Sequence, residues 1–274
     1  MSAAIDRLRP APARDLDDAA LLVAYAEGAA ERWLRVNFVS SIDGAVTHDG
    51  VSGALGGDAD LRVFDLLRRL ADVVLVAAGT VRAEGYGPMV LGDDAAAARV
   101  AQGLPPHPVF AVVSGSLDLD PASRLFTEAP VRPIVVTTAA APERRRAALA
   151  EVADVLVCGA DALDPGAMRA QLAERGLGRI HCEGGPGLLG TLLAADAVDE
   201  LCLTLSPSLE AGDAGRIARG ESPARAMRLA HVLAAGDTLL LRYLRDPPRE
   251  MPLVIPTRRG KSAQVASRGR EGEA

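Results

Sequence analysis

The chain has almost no lysine. Of 30 basic side chains in 274 residues, all but Lys261 are arginine, and Lys261 stands near the C-terminal end. The body of the fold therefore has no amine for a P-loop, a Schiff base or kinase-type phosphoryl transfer. Histidine is nearly as scarce: His48, His107, His181 and His231 are scattered, with no H-x-x-x-H spacing and no Cys/His cluster, so no metal centre is expected. Aromatic residues make up 3% of the chain, too few for a base-stacking surface. A formal net charge of −6 disfavours nucleic acid and anionic membranes as partners. Cys158, Cys182 and Cys202 form no C-x-x-C pair and lie in apolar runs, as expected of reduced core thiols in a cytoplasm. No apolar stretch has the form of a signal peptide or membrane helix, since 19–30 is too short and carries Glu27.

What the chain has is aliphatic side chains. Hydrophobic residues are 49% of the total, ample for the core of one large α/β domain or two small ones. Apolar runs at 34–40, 73–77, 109–113, 134–137, 155–158, 180–183 and 200–205 read as strands. Helical runs lie between several of them, at 59–70, 142–152, 165–175 and 187–196, with Asp58 and Asp164 as N-caps and Gly176 as a stop. Near-continuous apolar strands separated by helices imply a mostly parallel sheet covered on both faces. Two further runs, 227–234 and 238–244, are joined by Ala-Gly-Asp and read as an antiparallel hairpin closing one sheet edge. The expected organisation is an exposed N-terminal extension with a short helix (1–30), the α/β domain (31–245) and an Arg-rich disordered tail (246–274).

The most informative segment is GRIHCEGGPGLLGTLL, 178–193. A strand ends on a carboxylate, Glu183; a turn of Gly184, Gly185, Pro186 and Gly187 follows; an apolar helix then opens through Leu188 and Leu189. Glycine lets backbone approach a ligand, and the unpaired N–H groups of a new helix attract an anion. Gly185, Gly187 and Gly190 also satisfy G-x-G-x-x-G, with Glu210 at about the spacing of a ribose-binding acid. A dinucleotide fingerprint of that kind opens its domain, whereas only one strand pair and the tail follow here. A phosphate loop of another α/β fold and an ordinary tight turn both stay open.

Other strand ends share this character. VNFVSSIDG (36–44) carries Ser41 and Asp43, VLVAAGTVRAEGYGP (74–88) carries Thr80, and VVSGS (112–116) carries Ser114 and Gly115. Ligands of parallel sheets bind at the carboxyl ends of strands. Hydroxyls and backbone amides gathered there suit a phosphorylated cofactor better than a metal, although Ser, Asp and Gly are also the commonest turn residues.

Together SIDG (41–44), DLLRRL (65–70), AAGTVRAE (77–84) and EGGPGLLG (183–190) resemble, in order, the motifs of the riboflavin-biosynthesis pyrimidine reductase family. The resemblance spans about 34–244, and no deaminase zinc signature precedes it. It implies a dihydrofolate reductase-like three-layer α/β fold, a mostly parallel central sheet with a C-terminal antiparallel hairpin, and a stand-alone reductase. It further implies NADPH as cofactor, hydride delivery to the ribosylamino carbon of a pyrimidine ribosylamine 5′-phosphate, and a homodimer. By position, Val39, Thr80, Glu84, Ser114, Gly115, Gly184, Gly185, Pro186, Gly187, Leu188 and Leu189 match the family's cofactor contacts. Ser41, Ser52 and Arg68 fall on its substrate side, with Asp43 and Glu183 as the acids of the chemistry. Arg68 offers a guanidinium fork for phosphate, or is a surface arginine beside Arg69. Asp43 or Glu183 supplies a proton if burial raises its pKa, or else positions substrate. A 2′-phosphate contact is expected from Ser114, Ser116 or an arginine near 144–146. Asn37 stands where family members often carry lysine, and SGALGG (52–57) where many carry a tryptophan. Two other readings remain: a dihydropterin reductase, and a nucleotide-binding protein without turnover.

Overall fold

The computed structural model describes residues 3–48, 50–221 and 224–245. In chain order the elements are β1 (Asp6–Arg9), α1 (Asp18–Ala26), β2 (Trp33–Ser41), α2 (Asp58–Arg69), β3 (Val73–Ala77), α3 (Ala78–Glu84), α4 (Asp93–Ala101), β4 (Val109–Val113), α5 (Arg124–Thr127), β5 (Ile134–Thr137), α6 (Glu143–Ala150), β6 (Asp154–Val157), α7 (Pro165–Ala173), β7 (Arg179–Cys182), α8 (Pro186–Ala194), β8 (Glu200–Ser206), β9 (Met227–Ala235) and β10 (Thr238–Arg245). One sheet runs β1-β9-β10-β8-β2-β7-β3-β4-β5-β6. Every pair from β8 through β2 to β6 is parallel, and β8–β10, β10–β9 and β9–β1 are antiparallel. The expected α/β architecture is present, one sheet that is mostly parallel with antiparallel strands from the C-terminal part.

Side chains alternate across the sheet, so each strand feeds two cores. On one face Leu34, Val36, Leu75, Val136, Ile180 and Cys182 pack under Met168 and Leu172 of α7 and Leu189 and Leu192 of α8. On the other, Val74, Val76, Phe110 and Val112 pack with Leu149 of α6, while Leu21, Tyr25, Val63, Leu66 and Leu67 of α1 and α2 cover Cys202, Leu233 and Leu240. Helix ends follow local chemistry. Asp164 caps α7 by accepting from the Ala167 amide at 3.0 Å, and α2 has Asp58 and Asp60 in its first turn and Arg68 and Arg69 in its last, matching its dipole. Asp58 is not the cap expected: Gly57 holds that position, and Asp58 is the first helical residue.

Two further expectations change. The start of the chain is not merely exposed, because β1 pairs with β9 and Ile5 is buried. The hairpin β9–β10 therefore lies inside the sheet, and β1 forms the edge. Directly after β3 the chain turns into α3, which carries Thr80 and Glu84. The Arg-rich tail expected from residue 246 lies outside the described residues.

A buried charge cluster joins the parallel and antiparallel halves. Glu200 of β8 is fully buried; its carboxylate accepts from Arg35 Nε at 2.7 Å, Arg242 Nε at 2.8 Å and Trp33 Nε1 at 2.6 Å. The two arginines spend further N–H groups on the carbonyls of Ala24, Tyr25 and Glu27, where α1 ends without a basic residue of its own. Strand arginines thus satisfy the terminal carbonyls of a helix. The guanidinium groups hold the Glu200 carboxyl at about 2, against the desolvation that would raise it. Because the folded pKa lies below the ordinary value of 4.5, this contribution is full above about pH 4.5 and lost as pH falls towards 2. Glu200→Gln should cost about 3–5 kcal/mol by leaving two buried guanidinium groups uncompensated. Urea unfolding should show a lower midpoint at unchanged slope and a shallower loss of stability between pH 4.5 and 2. A midpoint within error of wild type contradicts the assignment.

Candidate active site

The site is built where neighbouring parallel strands end. After β7 comes Glu183, whose amide donates to Leu75 of β3 at 3.0 Å; the Ala77 amide donates back to the Gly184 carbonyl at 2.8 Å. The turn is thereby stitched to the end of β3. The Gly184–Gly185 peptide is cis, Gly184 has φ +104°, and α8 begins at Pro186, which needs no N–H there. A Cβ on Gly185 would stand 2.5 Å from Thr80 Oγ1, so glycine is what allows α3 and the turn to meet. Gly184, Gly185 and Pro186 then line a cleft of about 590 Å³.

Three side chains of α2, spaced four residues apart, form one wall of that cleft: Asp60, Phe64 and Arg68. Arg68 forks onto Glu183, Nε to Oε1 at 2.6 Å and Nη2 to Oε2 at 2.9 Å, and its Cζ lies 4.3 Å from the centre of the Phe64 ring. The Tyr86 hydroxyl donates to Glu183 Oε2 at 3.0 Å. Burial and then the Glu183 charge push the Tyr86 phenol upward, so it stays a donor. The Glu183 side chain is fully buried and that of Arg68 is 19% exposed, which makes this an interior ion pair. His181 lies behind it, Nε2 3.6 Å from Glu183 Oε1, held neutral by burial and by Arg35 and Arg68. At the cleft's lip Glu84 accepts from both the amide and hydroxyl of Ser52, at 2.9 and 2.8 Å. Asn37, Phe38 and Val39 of β2 and Arg219 also line the cleft.

The structure therefore brings together Val39, Ser52, Arg68, Thr80, Glu84, Glu183, Gly184, Gly185 and Pro186 of the residues expected from the sequence. It sets others apart. Ser41 is fully buried and gives its hydroxyl to Asp43, which also accepts from the amides of Glu210 and Ala211. These bonds, the Ser41 hydroxyl foremost, lower Asp43 to about 2, so the raised pKa needed for a proton donor is absent, and Asp43 instead ties two exposed loops. Leu188 and Leu189 are core residues under the sheet, and Gly187 is exposed on the first turn of α8. Ser114 and Gly115 stand at the same sheet end beyond the cleft lining, where Ser114 Oγ accepts from the Leu117 amide at 3.0 Å. Glu210 contacts His48. The sequence reading missed Asp60, Phe64 and Tyr86; the four-residue spacing of Asp60, Phe64 and Arg68 was the available signal for the first two.

Comparison with known proteins finds relatives over most of the chain. The family described as RibD C-terminal domain matches residues 32–241. A 2,5-diamino-6-ribosylamino-4(3H)-pyrimidinone 5′-phosphate reductase of Archaeoglobus fulgidus is 27% identical over 204 residues, covering 74% of this chain and 93% of that one. The protein of the same name from Methanothermobacter thermautotrophicus is 28% identical over 215 residues, covering 76% and 95%. A crystal structure of a pyrimidine reductase-like protein from Corynebacterium diphtheriae superposes with a TM-score of 0.76 at 26% identity, covering 83% of this chain and 99% of its own.

The ion pair makes a direct prediction. Arg68→Ala should destabilise by about 3–5 kcal/mol, because Glu183 is left charged and buried, and adding Glu183→Gln should recover at least half. Denaturant midpoints of both single variants and the double variant measure this; losses that simply add would show that the fork carries no coupling.

Proposed function

This chain belongs to the RibD C-terminal domain family, and from that membership we propose that it is an NADPH-dependent reductase acting on a pyrimidine ribosylamine 5′-phosphate. The observation carrying the proposal is the Gly184–Gly185–Pro186 turn, packed on Thr80 at the mouth of a cleft whose wall is Arg68 with Glu183. The turn and the first amides of α8 suit the pyrophosphate of a dinucleotide. Arg145 donates to the Ser116 carbonyl at 3.0 Å, which puts a guanidinium beside the 114–116 turn for a 2′-phosphate. When bound, the reduced nicotinamide supplies hydride.

The chain's own residues do the rest. No protein nucleophile is required, so the work is positioning and exclusion of water. Phe64 and Phe38 give the cleft flat apolar surface for a heterocycle. Arg68 engages Glu183 with two of its N–H groups and keeps the others for a phosphate oxygen, so the pair presents a neutral, oriented donor rather than a bare cation. Tyr86 and Arg68 together hold Glu183 in one orientation. The same reading carries a cytoplasmic, homodimeric enzyme.

Purified protein should oxidise NADPH, followed by absorbance, when given the ribosylamino-pyrimidine phosphate and not when given dihydrofolate. Oxidation with dihydrofolate alone transfers the site to a pterin substrate, and binding of NADPH without turnover of either defeats the reductase reading. Gly185→Ala, which drives a methyl group against Thr80, should weaken NADPH binding at least about tenfold, near 1.4 kcal/mol, by calorimetry. Unchanged affinity would remove the turn from the cofactor site.

A further inference from the structure

Three carboxyl groups line the cleft, and the structure treats them differently. Glu183 accepts from Arg68 twice and from Tyr86. Glu84 accepts from the Ser52 amide and hydroxyl. Each thus has two or more donors bonded to it. Asp60 is 9% exposed, and the donor that reaches it among the described residues is a hydroxyl, Thr204 Oγ1, at 2.5 Å from Oδ1. Its Oδ2 faces Gly56, where a Cβ would come within 2.6 Å. Enclosure with neither a cation nor a backbone amide bonded to the carboxyl makes it costly to ionise, and the N-terminal dipole of α2 offsets that cost only in part.

The chemistry inferred above consumes a proton. Opening a ribosylamine breaks the C1′–O4′ bond while the nitrogen lone pair forms C1′=N, and O4′ needs a proton to leave as a hydroxyl. We propose that Asp60 is the proton donor of the cleft, delivering its carboxyl proton to O4′ as the ring opens. Hydride from the reduced cofactor then adds to C1′, the C=N electron pair returns to nitrogen, and the Asp60 carboxylate regains a proton from water. Substrate is reduced, cofactor is oxidised and one proton is taken up. This rests on the reductase reading of the site.

The surroundings fit the role. Asp60, Phe64 and Arg68 stand on successive turns of α2, and the Arg68 guanidinium lies over the Phe64 ring, so the acid and the cation share one wall of the cleft. That wall offers a cation for the 5′-phosphate and an acid for the adjoining ribose of one substrate. The titratable groups sharing the cleft are Arg68, Glu84, Tyr86, Glu183 and Arg219, while β2 and β8 offer Asn37, Thr204 and the buried Cys202. Desolvation raises the Asp60 carboxyl, and the Thr204 hydroxyl opposes it.

The test uses Asp60→Asn, which keeps the shape and removes the proton. Wild-type kcat should fall as pH rises through the Asp60 ionisation. The variant should lose that alkaline limb and about 10²–10⁴-fold in kcat, with KM changing far less. Thr204→Val should move the limb to higher pH, since it removes the donor that favours the carboxylate; a purely structural Asp60 would leave the limb in place. An infrared difference spectrum of wild type against Asp60→Asn, recorded across pH without cofactor or substrate, should contain a protonated-carboxyl C=O band that disappears as pH rises along the same limb. Absence of that band, or wild-type kcat in Asp60→Asn, overturns the inference. Failure of wild type to reduce the pyrimidine overturns the substrate reading instead, and the band still decides the state of Asp60.

Discussion

The site depends on one interior ion pair. Arg68 is in the last turn of α2 and Glu183 follows the last residue of β7, 115 positions later in the chain, yet they meet in a two-bond fork. Neither charge is tolerable in that setting alone, so burial of Glu183 obliges α2 to lie against the β7–α8 turn. Once it does, the remaining geometry follows. The α2 stripe faces the cleft, Gly184 sits on Phe38 and Gly185 on Thr80, and Tyr86 completes the donors around the carboxylate. The pair thus spends its charge on fixing position, and what it leaves in the cleft is a neutral fork with N–H groups to spare.

Behind the site a second buried cluster does comparable work for the sheet. Arg35, Glu200 and Arg242 stand on β2, β8 and β10, where the sheet changes from parallel to antiparallel pairing. By also binding the last carbonyls of α1, the arginines hold that helix over the seam. Aliphatic packing alone specifies neither the register of β8 between two differently directed neighbours nor the docking of a short helix. Charge and hydrogen-bond geometry supply that specificity. His181 lies between the two clusters, and both arginine groups contribute to keeping it neutral.

Much of this was legible in the sequence where the signal is contiguous. Continuous apolar runs gave the parallel strands, and the β7–α8 turn is readable because its carboxylate, glycines, proline and apolar helix stand side by side. The glycine at 185 has a reason visible only in three dimensions, its distance from Thr80. Three charged residues around a single leucine, DRLR, could not announce β1, which exists because β9 offers an open edge. Asp43 misled because S-x-D-G is equally the chemistry of a turn, and that is how the structure uses it: a low-pKa carboxylate tying loops. Asp60 escaped notice because its four-residue spacing from Phe64 and Arg68 marks a shared helix face without showing what that face meets. Its enclosure comes from Thr204, 144 residues away.

The account stands or falls on where the hydride goes. The most direct measurement supplies NADPH carrying deuterium at the transferable C4 position, together with the pyrimidine ribosylamine phosphate, and analyses the product by mass spectrometry and NMR. The expected result is a ribitylamino product with deuterium at C1′ of the former ribose. Deuterium on the pyrimidine ring, or oxidation of the cofactor with no label in the product, would contradict the account.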